Sequence, residues 1–227
     1  MKTLAAVLLV LSTAALADPQ LSLPGAGLDA SEVHFRDGQS VLALVVGGGR
    51  ARLQRVRVKI DVVEAAIGDD PDGDLGRNVS AQGIEPLVFL DGIKGLRHGP
   101  VAVAVSGTEN LSVQKDLGFA LGDTDYRLET RCSAQDSYIR CEISLASSGG
   151  TQFLFDAPGG TQLNGVVEFA GAQPALLFAG DLDGDGRVDL LMDATNSYNS
   201  RPTLYLSGAA KKGEQVREVA HQVHYSC

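Results

Sequence analysis

The most informative stretch of this sequence is Ala179-Gly-Asp-Leu-Asp-Gly-Asp-Gly-Arg-Val-Asp-Leu-Leu-Met-Asp193. Numbered as a loop from its first aspartate, it has carboxylates at positions 1, 3, 5 and 9, which are Asp181, Asp183, Asp185 and Asp189. Glycine at position 6 permits a sharp turn. A hard dication takes six to eight oxygen ligands at roughly 2.3–2.6 Å, and the backbone carbonyl of Arg187, at position 7, can add one. The spacing therefore predicts a calcium loop that binds Ca²⁺.

The flanks of this loop indicate strands rather than helices. Position 12, where an EF-hand has a bidentate glutamate, is Met192, which offers no oxygen ligand. Short apolar runs lie on both sides of the loop, at 175–179 and 188–192, and a third follows at 203–206. Short apolar runs bounded by turn residues are typical of buried strands. We therefore expect a β-loop-β calcium motif near the C-terminus.

The Asp-x-Asp-x-Asp-Gly-x-x-Asp pattern resembles the loop of FG-GAP repeats, which are known from integrin α-chains and many bacterial secreted proteins. In that family, the residues matching Asp181, Asp183, Asp185 and Asp189 coordinate calcium between two strands. The resemblance covers roughly residues 175–206 and one clear copy of a repeat that normally occurs in sets forming a β-propeller. The chain also looks like small bacterial secreted proteins with one such loop near the C-terminus. The resemblance implies a calcium loop but not a whole propeller.

The rest of the chain is predicted to form short strands. The clearest is 53–63, where four apolar residues alternate with four charged ones: Val56, Val58, Ile60 and Val62 with Arg55, Arg57, Lys59 and Asp61. This pattern predicts one core face and one wet basic face, which could also attract an anion. Together with few helical stretches, the strand spacing predicts an all-β antiparallel sandwich or barrel-like fold. We expect a single β domain over 18–227, whose first residues, 18–38, form an irregular leader. Further strands are predicted at 39–46, 87–90, 101–105, 117–121, 126–132, 138–145, 151–155, 165–169 and, with a helix as the alternative, 214–225.

The N-terminus has the features of an export signal. An early lysine, Lys2, precedes an apolar run at 4–11, and small residues end at Ala17. This pattern predicts a signal peptide at 1–17 that is cleaved after Ala17. The apolar run is too short for a membrane-spanning helix, which needs about 20 residues. We therefore expect an exported protein in the periplasm or outside the cell, without a membrane span.

The charge of the chain limits its partners. The formal net charge is −9 and the sequence pI is about 4.8. Because the sequence has no basic run, we expect no nucleic-acid binding and little attraction to anionic lipid. Calcium is the partner that the sequence does predict, whereas it identifies no protein or glycan partner.

Three cysteines are present, at Cys132, Cys141 and Cys227. The first two lie on the apolar faces of two alternating segments, 126–132 and 138–145, which a polar turn joins as a hairpin. Adjacent hairpin strands would place their sulfurs together, and export favours oxidation. The sequence predicts a Cys132–Cys141 disulfide. Cys227 could be a free thiol, an intermolecular link or the true partner of either.

A second acidic segment repeats part of the loop pattern. Asp70, Asp72 and Asp74 have the spacing of positions 1, 3 and 5, and Asn78 falls at position 9. Position 6 is Leu75, so the turn glycine is missing. This segment is either a weak second metal site or a solvated acidic turn.

The sequence contains none of the nucleophile-elbow, phosphate-binding, dinucleotide-binding or His-Glu-x-x-His motifs. We therefore expect an exported calcium-binding β-protein with a structural calcium site and a non-enzymatic role at the envelope or outside the cell. One alternative is a calcium-dependent module that binds carbohydrate or a partner, which would need an open coordination position. A secreted hydrolase is the less favoured alternative, and it would need a pocket with converging carboxylates.

Overall fold

The computed structural model describes residues 18–64, 75–162, 165–195 and 199–225. Over these ranges the fold is all-β, as predicted, with one 3-10 turn at Ala30–Glu32 and no α-helix. The strands are β1 (Gln20–Ser22), β2 (Gly25–Leu28), β3 (Ser40–Gly47), β4 (Arg50–Glu64), β5 (Leu75–Ala81), β6 (Val88–Asp91), β7 (Gly99–Asn110), β8 (Leu117–Leu121), β9 (Thr124–Gln135), β10 (Tyr138–Ser147), β11 (Gly150–Thr161), β12 (Val167–Phe169), β13 (Ala175–Asp181), β14 (Asp189–Asp193), β15 (Asn199–Ser200), β16 (Pro202–Leu206), β17 (Arg217–His221) and β18 (His224–Tyr225).

Several sequence predictions fall outside the described residues. These are the signal peptide at 1–17, Cys227, and three of the four residues of the second acidic segment, Asp70, Asp72 and Asp74. Within the part of the chain that the structure describes, no helix has the length and apolar character needed to cross a membrane.

The larger sheet is antiparallel and curls into a nearly closed barrel. Its strands follow the order β1-β6-β3-β4-β7-β13-β14-β16-β17, with β5 pairing with β4 and β2 with β5 beside this path. One hydrophobic cluster draws side chains from all nine strands of the path, including Leu44, Leu53, Phe178 and Leu191. These residues fill the barrel interior.

A buried glutamine closes the gap between the first and last strands of the barrel. Gln222, which is 2% exposed, directly follows β17. Its side-chain oxygen accepts a hydrogen bond from the amide of Leu23 at 2.9 Å, and its side-chain nitrogen donates to Ser22 Oγ at 3.3 Å. The same nitrogen donates to the carbonyl of Glu32 at 3.3 Å. A side chain thus replaces the backbone ladder that would otherwise join the two edges.

Strand β4 changes its buried face along its length. In its first part, Ala51 and Leu53 point into the barrel. Further along, Val56, Val58 and Ile60 pack in a separate small core, as the alternation predicts. The basic residues between them are exposed. The prediction is wrong for Val62, which is 58% exposed because the small core does not extend to the end of β4.

The second sheet is a curled half-barrel of five consecutive antiparallel strands, in the order β12-β11-β10-β9-β8. Leu128, Ile143 and Leu145 share one buried cluster with barrel residues such as Leu190 and Met192, so this sheet packs on the barrel. The predicted disulfide is confirmed: Cys132 and Cys141 lie directly opposite each other on β9 and β10 and are bonded.

The structure corrects some predicted elements. The segment 18–38 is not an irregular leader, because it contains β1 and β2, which pair with β6 and β5. These strands are too short and glycine-rich to show a period, and tertiary pairing stabilises them. The strand β5 was also missed, because Leu75–Ala81 contains too few apolar residues to show the alternation of a strand. In the C-terminal segment, β17 confirms the strand alternative over the helix.

We predict that Gln222→Leu destabilises the protein by about 1–3 kcal/mol, because the amide of Leu23 then loses its buried acceptor. Urea denaturation of residues 18–227 measures this loss. Gln135→Leu is the matched control, since Gln135 is exposed and donates only to Ser133 on the same strand. Equal stability of the two variants would refute the closing role of Gln222.

Candidate metal centre

The acidic loop connects two paired barrel strands, as the sequence predicts. The strand β13 ends at Asp181, and β14 begins at Asp189. Gly180 lies opposite Asp189 in the antiparallel register. Two apolar residues next to the strand ends, Leu182 and Val188, are buried in different hydrophobic clusters. The ends of the loop are therefore fixed in the core, while its acidic middle faces outward.

Asp181 organises the turn. Its Oδ1 accepts hydrogen bonds from the amides of Gly184 at 2.7 Å and Asp185 at 3.0 Å, and its Oδ2 accepts one from Gly186 at 3.0 Å. Gly186 has φ of +81°, in the left-handed region that favours glycine. The first aspartate of the motif thus coils the backbone around its own carboxylate.

Asp189 is the buried member of the set, with 0% exposure. Its Oδ2 accepts from the amides of Leu182 at 2.6 Å and Asp183 at 3.2 Å. Its Oδ1 accepts from the amide of Ser207 at 2.7 Å and from Ser207 Oγ at 2.9 Å. Burial raises the pKa of Asp189 to about 7, and the charge of Asp183 adds to this effect, whereas the hydrogen bonds from Ser207 and Leu182 oppose it.

Asp183 is half-buried between the loop and the segment that follows β16. Its Oδ2 accepts from the amide of Gly208 at 3.0 Å, and its Oδ1 accepts from the amide of Asp185 at 3.3 Å. A side chain at position 208 would collide with this carboxylate. Burial raises the pKa of Asp183, and the negative charges of Asp185 and Asp181 raise it further.

Three of the predicted carboxylates converge. Asp181, Asp183 and Asp189 each offer an oxygen, and these oxygens lie within 4.8 Å of one another. Among the described residues, no lysine, arginine or histidine forms an ion pair with any of the three. A set made only of oxygen ligands suits a hard cation such as Ca²⁺ or Mg²⁺ rather than zinc, which prefers nitrogen and sulfur.

Asp185 lies beside this group with a different set of contacts. Its Oδ2 accepts from the guanidinium of Arg187 at 2.6 and 2.9 Å. Its Oδ1 lies 2.9 Å from Ser207 Oγ, whose single hydroxyl hydrogen is shared between this oxygen and Oδ1 of Asp189. Burial alone would raise the pKa of Asp185, but hydrogen bonds from the backbone and side chain of Arg187 and from Ser207 hold it below its usual value. The backbone carbonyl of Arg187 as a ligand stays a prediction.

Ser207 and Gly208 form the wall of the site that was not predicted from the sequence. Both follow β16, which pairs with β14 so that Leu190 lies opposite Tyr205. This register returns the chain to the start of β14, where Asp189 lies. The sequence does contain a pattern from which this wall could have been predicted. The polar turn between the predicted strands 188–192 and 203–206 indicates a hairpin, and a hairpin brings the residues after 206 back to the loop.

The second predicted metal site is not tested by the structure. Asn78 lies in β5, opposite Asp61 of β4. Since its three aspartates lie outside the described residues, the site stays a prediction.

Comparison with protein-family models, curated proteins and solved structures gave no match to this chain. The likeness of the loop to FG-GAP repeats therefore stays a prediction from its residues.

We predict that the metal-free protein loses stability as the pH rises from about 4 to about 7. Over this range the folded state holds a proton on Asp189, whose pKa is about 7, while the unfolded chain releases it near the ordinary value of 3.8. Between pH 5.5 and 8 we expect a loss on the order of 2 kcal/mol from this group. Urea denaturation in EDTA at a series of pH values measures it.

The control for this measurement is Asp189→Asn, which removes the titrating group. The difference in unfolding free energy between the wild type and this variant should change with pH in the stated direction. A difference that is constant from pH 5.5 to 8 would show that Asp189 does not titrate in this range.

Proposed function

We propose that this chain is an exported calcium-binding β-protein whose calcium site is structural, with a non-enzymatic role in the periplasm or outside the cell. The observation that carries the proposal is the convergence of Asp181, Asp183 and Asp189 within 4.8 Å, with no cationic side chain of the described residues paired to them. Like charges held this close raise the free energy of the folded state unless protons or a cation neutralise them. A bound dication would do so at neutral pH.

The arrangement favours calcium over magnesium. Calcium accepts six to eight oxygens in flexible geometry, whereas magnesium requires near-ideal octahedral geometry at about 2.0–2.1 Å. Here the carboxylates belong to an irregular loop whose residues 184–187 are exposed, so that water can complete the coordination sphere. The carbonyl of Arg187 and the carboxylate of Asp185 are the further ligands that the motif predicts.

Calcium at this position would act on the fold rather than on a substrate. Asp181 ends β13 and Asp189 begins β14, while Asp183 accepts from the amide of Gly208, beyond β16. One ion bound to these three side chains would link three barrel segments. Extracellular calcium modules have Kd values of roughly 10⁻⁴–10⁻³ M, so millimolar calcium would stabilise the fold by about 1 kcal/mol.

Two features support export. The predicted leader at 1–17 has the charge and apolar pattern of a signal peptide. The Cys132–Cys141 disulfide persists most readily in an oxidising compartment. Calcium is also available at millimolar concentration mainly outside the cytoplasm, which agrees with a weak structural site.

We predict that 1–2 mM calcium raises the thermal midpoint of residues 18–227 by about 2–4 °C relative to EDTA, as expected for about 1 kcal/mol in a chain of this size. The same concentration of magnesium should raise it less. In Asp183→Asn the calcium shift should disappear, and the midpoint in EDTA should rise because one of three repelling charges is gone. Calorimetry or intrinsic tyrosine fluorescence can follow the transition.

Asp123→Asn is the matched control, since it removes the same charge from an exposed turn between β8 and β9. It should retain the full calcium shift. If wild type shows no shift, or if Asp183→Asn and Asp123→Asn respond to calcium equally, the proposed site is incorrect.

A further inference from the structure

The long strand β4 carries a row of exposed cations on one face. Arg55, Arg57 and Lys59 alternate with side chains packed in the small core, and the register between β3 and β4 has no shift. Side chains two residues apart on a strand lie on the same face, at intervals of about 7 Å. The three cations therefore form a straight row, which we call the basic stripe.

The basic stripe is largely free of ion pairs within the described residues. Within the part of the chain that the structure describes, no residue forms an ion pair or a side-chain hydrogen bond with the guanidinium of Arg55. The guanidinium of Arg57 donates only to the carbonyl of Gly38, at 3.2 Å. Lys59 pairs with Asp61 at 2.7 Å, but both side chains are well exposed. Such exposed pairs contribute little and exchange readily with other anions.

The residues paired opposite the three cations are uncharged, and the one opposite Arg55 is the apolar Leu42. Ser40 lies opposite Arg57 on β3, and Ser80 lies opposite Lys59 on β5. A shallow groove of about 540 Å³ runs here, lined partly by Arg57, Lys59, Ser80 and Gln82. Asp37, the acidic residue of this groove, is engaged, since its Oδ1 accepts from the amide of Ile60 at 3.0 Å. The groove thus offers two cations, Arg57 and Lys59, and the hydroxyl group of Ser80 to a ligand.

We propose that the basic stripe binds a linear anionic polysaccharide carrying carboxylate or sulfate groups. Charge complementarity supports this ligand, because the stripe is a concentrated positive row on a chain whose formal net charge is −9. Arg57 and Lys59 line the groove and Arg55 extends the row beyond it, and this linear arrangement fits an extended polymer better than a compact ion. A planar anionic membrane is a less favourable partner, because the net negative charge of the rest of the protein would be repelled by it. The exposed cations predict weak binding that salt suppresses.

The test measures binding of residues 18–227 to fluorescently labelled polygalacturonate, which carries carboxylates, and to dextran sulfate. Neutral dextran of similar length is the control polymer. All measurements are made in EDTA at low salt, so that calcium cannot bridge protein and polymer and the result does not depend on the proposed calcium site. We expect binding to at least one anionic polymer, weakened at 300 mM NaCl, and none to neutral dextran. The polymer that binds distinguishes carboxylate from sulfate recognition.

The double variant Arg57→Gln/Lys59→Gln should weaken this binding by about three- to tenfold, from two exposed charge contacts. Arg50→Gln/Arg52→Gln is the matched control, because it removes the same charge from the same strand, where Arg50 and Arg52 are exposed and alternate onto the opposite face. It should bind like the wild type. Both double variants should melt at the wild-type temperature, since all four side chains are exposed.

Three results would overturn the proposal. The first is that neither anionic polymer binds at low salt. The second is that both double variants lose affinity equally, which would show that the attraction is not specific to the basic stripe. The third is tighter binding to vesicles of anionic phospholipid than to either polymer, which would identify a membrane surface as the partner.

Discussion

The geometry of the acidic loop depends on the burial of one carboxylate where the loop, β14 and the segment after β16 meet. Asp189 is fully buried and accepts hydrogen bonds from Leu182 and Asp183 on one side and from Ser207 on the other. These bonds fix the acidic loop and the segment after β16 against the start of β14. A buried acceptor with so many donors favours the ionised form, while burial and the neighbouring Asp183 disfavour it. The protonated and ionised forms of Asp189 are therefore closely balanced near neutral pH.

The four aspartates of the loop differ in the groups that their carboxylates contact. Asp181 coils the loop through three backbone amides, whereas Asp183 reaches across to Gly208. Asp185 already has a partner in Arg187, which neutralises its charge. The negative charge left without a cationic partner in the described structure thus belongs to the other three. A single dication is the simplest species that can neutralise it without protonating Asp189.

Much of this arrangement could be predicted from the sequence, because it depends on local patterns. Alternation identified the core face of β4 and the hairpin that carries the Cys132–Cys141 disulfide, and the aspartate spacing identified the loop. Contacts between distant segments could not be read in this way. The polar residues Gln222 and Ser207 look like surface residues in the sequence, yet both are buried because they supply hydrogen bonds where strand edges or loops meet. Similarly, β1 is too short to show a period, and it is stabilised by pairing with β6.

Binding of calcium at this loop can be measured by a calcium titration of ¹⁵N-labelled residues 18–227, followed through the chemical shifts of their amides. We expect one saturable step in which the amides of Leu182, Gly186 and Ser207 shift most, because each donates to a carboxylate of the site. Magnesium at the same concentration should produce smaller shifts. If these amides do not move while millimolar calcium is added, or if the shifts are confined to residues around Asn78, calcium does not bind where we place it.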